Sequence, residues 1–266
     1  MPWLSFDILL ALPVFALVLF RISGLMLTAP IFASRVIPLR IRGALVIVLA
    51  AMMFPLLRSQ APAGLTLSMA LLGGVSELMI GVIIGLSLSI FIMAAEVAGT
   101  IVGQQAGLAL SRVVDPTQGQ QTSVMGQLYT LTLMLLFLHV GGHRATMAAL
   151  LDTYEVIPLL SFRVDESAVL LLIEMLTAAF MLGIRLAGPV LIALFLTGTS
   201  LGFLSRTMPQ LNILTVGFTL RTLTALAVAG VALSASQDTL VNAIFDALGT
   251  VRMSFGLDPE PMEWTD

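Results

Sequence analysis

The sequence contains no cysteine and no lysine, and only 10% of its 266 residues are charged. Without cysteine the chain has neither disulfides nor thiolate metal sites. All 12 basic residues are arginines, and they form no basic run that could follow a nucleic-acid backbone, so nucleic-acid binding is not expected. A soluble domain has about 25% charged residues. The shortage of charge here argues against a soluble domain anywhere in the chain.

Apolar residues make up 58% of the chain and fall into blocks separated by short polar breaks. The blocks cover about 8–29, 43–57, 65–110, 124–151, 168–205 and 212–235. Blocks of this length and low charge indicate membrane-spanning helices, and the ten-residue alternation of a membrane β-barrel is missing. We therefore predict an all-α polytopic membrane protein, with residues 1–266 as one integral-membrane domain. Arg21 follows the first apolar run, so we do not expect a cleaved signal peptide.

The third and fifth blocks are too long for one straight crossing. A helix rises about 1.5 Å per residue and the hydrocarbon core is about 30 Å thick, so these blocks must break, tilt or extend beyond the bilayer. Proline removes a backbone donor and clashes with the preceding turn. Gly188-Pro189 in the fifth block therefore predicts a kink or a hairpin.

Small residues recur at a spacing of four along two of the blocks. This spacing lines one face of a helix with a groove in which a second helix backbone can approach closely, although single pairs also arise by chance in a glycine-rich chain. The candidate packing residues are Ala95, Gly99, Gly103, Gly107, Gly198 and Gly202.

Six charged residues lie inside apolar blocks, where each costs about 2.5–3.5 kcal/mol or more at the bilayer centre. They are Arg21, Glu77, Glu96, Glu174, Arg185 and Arg221. One interpretation is an ion or proton pathway. The other is contact with neighbouring subunits, or helices that do not meet lipid at these positions. We favour the second, because no face collects several acids as a proton relay would.

Residues that could perform catalysis are sparse. His139 and His143 are four apart, but Gly141-Gly142 between them predicts a turn rather than a helical metal site. The sequence has no nucleophile elbow and no phosphate-binding loop. We therefore expect no enzyme activity, no cofactor and no metal.

Four segments together resemble one known family. The first, RISGLMLTAPIFASRVIPLRIRGAL, is similar to the opening signature of the FliR family, the flagellar protein-export gate subunits whose injectisome counterpart is called SctT. The matching residues in and after this segment are Arg21, Gly24, Ala29-Pro30, Ile37-Pro38, Arg42 and Pro55. Gly142-His143 and the segment MPQLNILTVGF at 208–218 also resemble family motifs.

The segment at 103–121, GQQAGLALSRVVDPTQGQQ, carries a further match through Gly103, Gln105, Gly107, Leu108 and Asp115-Pro116. The resemblance implies that this segment is a plug loop inside a channel. The candidate plug and gate residues are Gly103, Gly107, Leu108, Arg112, Val113, Val114, Asp115 and Pro116. Glycines would permit the loop to move, and apolar side chains would seal it by dewetting. The alternative is an ordinary transition from helix to loop at Asp115-Pro116.

The resemblance also implies a role and an assembly. The chain would be a noncatalytic gate subunit, made of kinked helical hairpins, within a helical hetero-oligomer of FliP and FliQ homologues. FlhA and FlhB homologues would lie nearby, at the flagellar basal body in the bacterial inner membrane. Unfolded flagellar proteins would pass through this gate. The alternatives are a virulence injectisome subunit, a small-molecule or ion transporter with two similar halves, and an intramembrane hydrolase.

Overall fold

The computed structural model describes residues 2–33, 37–57, 65–108, 123–161, 166–208 and 213–257. All regular secondary structure within these ranges is helical. Its helices are α1 (Pro2–Thr28), α2 (Leu39–Leu57), α3 (Leu67–Gln105), α4 (Val124–His139), α5 (Gly142–Val156), α6 (Glu166–Thr207), α7 (Ile213–Ala235) and α8 (Gln237–Ser254). Four of them, α2, α3, α6 and α7, are long and apolar enough to cross a membrane, and the α4/α5 pair adds a fifth if counted as one broken span. The prediction of an all-α polytopic membrane protein is confirmed.

Most of the third apolar block and all of the fifth lie in one unbroken helix each. α3 has 39 residues and α6 has 42, so each is about twice as long as a 30 Å hydrocarbon core is thick. α6 continues through Pro189, so the hairpin alternative at Gly188-Pro189 is wrong, whereas a kink at this position stays a prediction. Proline cannot donate to the carbonyl of Arg185 one turn earlier, but the loss of this one hydrogen bond is tolerated within a helix of such length.

The fourth block is divided where its paired glycines predicted a turn. α4 ends at His139, and Gly141 has a φ of 75°, in the left-handed region that glycine adopts without strain. The chain then becomes helical again at Gly142. The predicted turn is confirmed. The predicted block ended at residue 151, whereas α5 continues to Val156.

α8 is the helix that the apolar blocks did not predict. Its buried residues Leu240, Ile244, Ala247 and Val251 recur at intervals of three and four, which makes the helix amphipathic rather than uniformly apolar. Polar and charged residues on the opposite face lower its average hydropathy, so the helix was not recognised as an apolar block.

Contacts divide the chain into two compact units. The first consists of Met1–Ile90, Gly141–Leu176 and Phe245–Asp266, and the second of Phe91–Val140 and Thr177–Ile244. In the first unit the rings of Phe15 on α1 and Phe54 on α2 meet edge to face, with centroids 6.2 Å apart. This unit also contains an ion pair between Arg252 and Asp152, with Nη1 2.8 Å from Oδ2.

Candidate functional site

Glycines bring α1 and α3 into close contact in the first unit. A Cβ on Gly24 of α1 would overlap the carbonyl oxygen of Leu78 on α3. From the opposite side, a Cβ on Gly81 of α3 would overlap the carbonyl oxygen of Arg21 and lie 2.6 Å from the amide nitrogen of Leu25. These neighbours are backbone atoms, which cannot rotate away as a side chain can. The two helices therefore approach closely only because both positions are glycine.

Arg21 and Glu77 form an ion pair at this crossing. Arg21 Nε donates a hydrogen bond to Glu77 Oε2 at 2.7 Å, and Nη2 lies 2.6 Å from the same oxygen. Both side chains are 0% exposed. A buried charge is tolerated when it is paired and when its remaining polar atoms find hydrogen-bond partners.

α5 and the turn after it provide the remaining partners of the guanidinium. Arg21 Nη1 donates to Thr153 Oγ1 and Nη2 donates to the carbonyl oxygen of Ile157, both at 3.1 Å. The guanidinium carbon also lies 4.0 Å from the ring centroid of Tyr154, an arrangement that gives a favourable cation–π interaction. All three guanidinium nitrogens of Arg21 therefore have an acceptor within the chain.

The second carboxylate oxygen of Glu77 fixes the turn after α5. Glu77 Oε1 accepts a hydrogen bond at 2.8 Å from the amide of Leu160. Leu160 has a φ of 68°, a backbone conformation that costs a non-glycine residue free energy. Its side chain fills the space that a Cβ on Gly73 would take, so hydrogen bond and packing together hold the strained residue. We name the following group the Arg21 cluster: Arg21, Glu77, Thr153, Tyr154 and the backbone of Ile157 and Leu160.

The Arg21 cluster connects three helices and offers no group to a substrate. Its guanidinium and carboxylate face each other and are closed to solvent, so the arrangement stabilises the fold. Within the described residues, no three His, Cys, Asp or Glu side chains are grouped so that they could hold a metal ion.

Two of the six charged residues expected to contact other subunits, Arg21 and Glu77, are thus paired inside this chain. Burial at 0% exposure leaves them no surface for a second subunit, so the intersubunit interpretation is corrected for this pair. The other four lie at accessible positions: Glu96 is half-buried, and Glu174, Arg185 and Arg221 are exposed. Contact of these four with other subunits stays a prediction.

In the second unit, the predicted small-residue groove of α3 faces α4. A Cβ on Gly99 would overlap the carbonyl oxygen of Met125, and one on Gly103 would lie 2.6 Å from Ser123 Oγ. Ala95, on the same face of α3, is fully buried. Gly107 ends the series with a φ of 87°, just after α3 ends.

The pair Gly198 and Gly202 on α6 behaves differently. A Cβ on Gly198 would lie 3.1 Å from Nη2 and 3.7 Å from Cζ of Arg221 on α7, so the arginine lies across this glycine. A Cβ on Gly202 would meet no atom of the described residues within 4 Å. Gly202 therefore has no packing role within the described part of the chain.

A cavity of about 580 Å³ lies beside Arg221 in the second unit. Leu191, Leu194 and Phe195 of α6 provide apolar walls, while Gln105 of α3 and Thr199 of α6 are the uncharged polar lining residues. Of the described residues that line the cavity, Arg221 alone is charged. No hydrogen bond or ion pair joins Arg221 to another of the described residues.

The plug prediction falls mostly outside the described residues. Gly103, Gly107 and Leu108 are described, and Leu108 donates its amide hydrogen to the carbonyl oxygen of Gly103 at 3.0 Å in the turn that ends α3. The plug residues Arg112, Val113, Val114, Asp115 and Pro116 lie outside the described residues.

Sequence reasoning missed the part of the Arg21 cluster that comes from α5 and its following turn. Thr153 and Ile157 carry no signal of their own, because a threonine hydroxyl and a backbone carbonyl occur in any helix end. Tyr154 offers a weak signal, since it is one of only two tyrosines in the chain. Arg21 and Glu77 were both noticed as charges in apolar blocks, but no sequence rule joins residues 56 positions apart.

Comparison with known proteins places the chain in a family. The family described as "Bacterial export proteins, family 1" matches residues 12–247. The flagellar biosynthetic protein FliR of Escherichia coli is 30% identical over 76% of this chain and 77% of its own, and that of Pectobacterium carotovorum is 33% identical over 74% and 76%. The surface presentation of antigens protein SpaR of Shigella flexneri is 31% identical over 56% and 58%. The chain therefore belongs to family 1 of the bacterial export proteins, the FliR family of the type III export apparatus.

Proposed function

We propose that this chain is a noncatalytic channel and gate subunit of its export apparatus, through which unfolded proteins cross the inner membrane. It acts within a hetero-oligomer formed with FliP and FliQ homologues, with FlhA and FlhB homologues nearby. The flagellar system is favoured over the injectisome, because the match to FliR of Escherichia coli covers 76% of the chain and that to SpaR only 56%.

The observation that carries this proposal is the exposure of charge on membrane-length helices. Glu174 and Arg185 are exposed on α6, and Arg221 is exposed on α7. In lipid each charge would cost about 2.5–3.5 kcal/mol or more at the bilayer centre. Contact with polar groups of neighbouring subunits, or with a water-filled channel, removes most of that penalty.

The exposed apolar surface supports the same proposal. In the apolar 18-residue stretch of α2 only 11% of the residues are buried within the chain, and in that of α7 only 17% are buried. Apolar faces with isolated charges suit subunit interfaces, where each charge meets a polar partner while the surrounding side chains pack against another helix.

Native mass spectrometry of the tagged chain, expressed together with its neighbouring genes, tests this composition. We expect one copy to be held with several copies of two smaller membrane proteins, because the exposed charges need partners. A monomer or a homo-oligomer that recruits no other chain contradicts the proposal and favours a small-molecule or ion transporter.

We also propose that the segment 103–121 acts as the plug of this channel. The positive φ of Gly107, just after α3, suits a position where the backbone must leave the helix axis. Shortening residues 108–121 with a flexible linker is expected to leave assembly intact and let ions leak through the complex. Ion flux into vesicles that contain the purified complex measures the leak. A shortened complex that assembles with all its partners and stays tight refutes the plug.

A further inference from the structure

We propose that the cavity beside Arg221 receives an acidic side chain from another subunit of the export assembly, carried on an otherwise apolar helix. The proposal rests on the hetero-oligomeric assembly given above, and it adds a defined site and a defined partner chemistry. The site is formed by Arg221 of α7 together with Gln105, Phe195, Gly198 and Thr199.

The position of the guanidinium is set by Gly198. Atoms Nη2, Cζ and Nε of Arg221 lie 3.1, 3.7 and 3.9 Å from the point where a Cβ on Gly198 would be. The guanidinium therefore rests on the backbone of α6 in a space that any side chain at position 198 would narrow.

The same contact argues against an arginine that reaches for a lipid headgroup. Gly198 lies nine residues before the end of α6, and Arg221 lies eight residues after the start of α7. The two positions are therefore about 12–14 Å from these helix ends. An arginine that snorkels extends along its helix towards the interface. Arg221 instead reaches sideways to Gly198 on α6, which lies at nearly the same distance from its own helix end.

The lining of the cavity indicates what it would bind. The guanidinium has planar donors that match a carboxylate in two parallel hydrogen bonds. Gln105 and Thr199 can provide further polar contacts, while Leu191 and Phe195 present apolar surface, and Phe195 is 72% exposed. A single Asp or Glu on an apolar helix satisfies both parts of this lining, and the pairing removes the penalty of two isolated charges in the membrane.

Photocrosslinking in the full assembly tests the site. Phe195 is replaced with p-benzoylphenylalanine in the tagged chain, which is expressed with its gene neighbours, and adducts are mapped by mass spectrometry. We expect adducts on one helix of a different membrane protein, with an Asp or Glu within about one turn of the adduct. Arg221→Gln is expected to lower the yield by roughly thirtyfold, since the partner carboxylate would be left unpaired. Combining Arg221→Glu with an arginine at the mapped acid should restore the yield.

A second crosslinking position distinguishes a failure of the cavity proposal from a failure of the proposed function. Phe203 is also 72% exposed on α6 but does not line the cavity, so its adducts should not depend on Arg221. Two results at position 195 overturn the proposal, provided that position 203 still captures a partner. One is that adducts form only on phospholipid or on a copy of this chain. The other is that the adducts persist in Arg221→Gln. If the wild-type chain purifies without any other membrane protein, the cavity proposal and the proposed function fail together.

Discussion

Replacing Arg21 with methionine is expected to lower the free energy of unfolding by about 3–5 kcal/mol, the usual cost of removing one partner from a buried ion pair. Methionine fills much of the space but leaves the carboxylate of Glu77 at 0% exposure without its counter-charge. The substitution also removes the donors to Thr153 and to the carbonyl of Ile157. Steric trapping of the purified chain in detergent measures the change in the free energy of unfolding.

A double-mutant cycle shows whether the loss comes from the ion pair itself. Glu77→Gln keeps an oxygen that can accept from the amide of Leu160, and it leaves Arg21 with Thr153 and the ring of Tyr154 as partners. Its cost should therefore be smaller than that of Arg21→Met. The double variant has no buried charge, so it should recover part of the loss, with a coupling energy of about 0.5–3 kcal/mol. Losses that simply add would contradict the assignment.

Arg185→Met provides the matched control. Arg185 is also an arginine inside an apolar block, but it lies exposed on α6. In detergent the substitution should change the free energy of unfolding of the isolated chain by no more than about 0.5 kcal/mol. A large loss at this position would mean that charge in an apolar helix, rather than burial of the pair, determines the result.

The membrane class and most helix positions could be predicted because they depend on local composition. An apolar run as long as 212–235 forms a helix in lipid, because a helix satisfies its own backbone hydrogen bonds. The structure has α7 at Ile213–Ala235. α8 could not be predicted in the same way. Its apolar residues occupy one face only, and that face is recognised as buried only when its neighbours in the fold are known.

The same limit applies to Pro189 and to the Arg21 cluster. A proline weakens a helix locally, but whether the chain turns back or continues is decided by the packing around it, and here α6 continues. Arg21 and Glu77 were each identified only as charges inside apolar blocks, and contact with another subunit was one of the favoured explanations. Their pairing depends on the crossing of α1 and α3, which is set by glycines whose contacts are long-range.

Alanine at position 81 is expected to destabilise the chain by about 2 kcal/mol or more, in the range of overpacked cores. Its Cβ would overlap the carbonyl oxygen of Arg21 and lie 2.6 Å from the amide nitrogen of Leu25, so α1 and α3 must separate. Gly249→Ala on α8 is the matched control, because a Cβ there meets nothing within 4 Å. That substitution should be neutral or stabilise the chain by up to about 1 kcal/mol, as alanine favours a helix over glycine. The same unfolding measurement in detergent compares the two variants.

The mechanism of the Gly81→Ala loss can be resolved further by repeating it in the Arg21→Met/Glu77→Gln background. If separating α1 from α3 also pulls Arg21 away from Glu77, part of the loss comes from the ion pair and disappears once the pair is absent. The part that remains is the steric cost of the backbone contact. An unchanged loss would show that the helix crossing and the ion pair are energetically independent, although they meet at the same residue. Equal effects of Gly81→Ala and Gly249→Ala would instead show that α1 and α3 do not require this close approach.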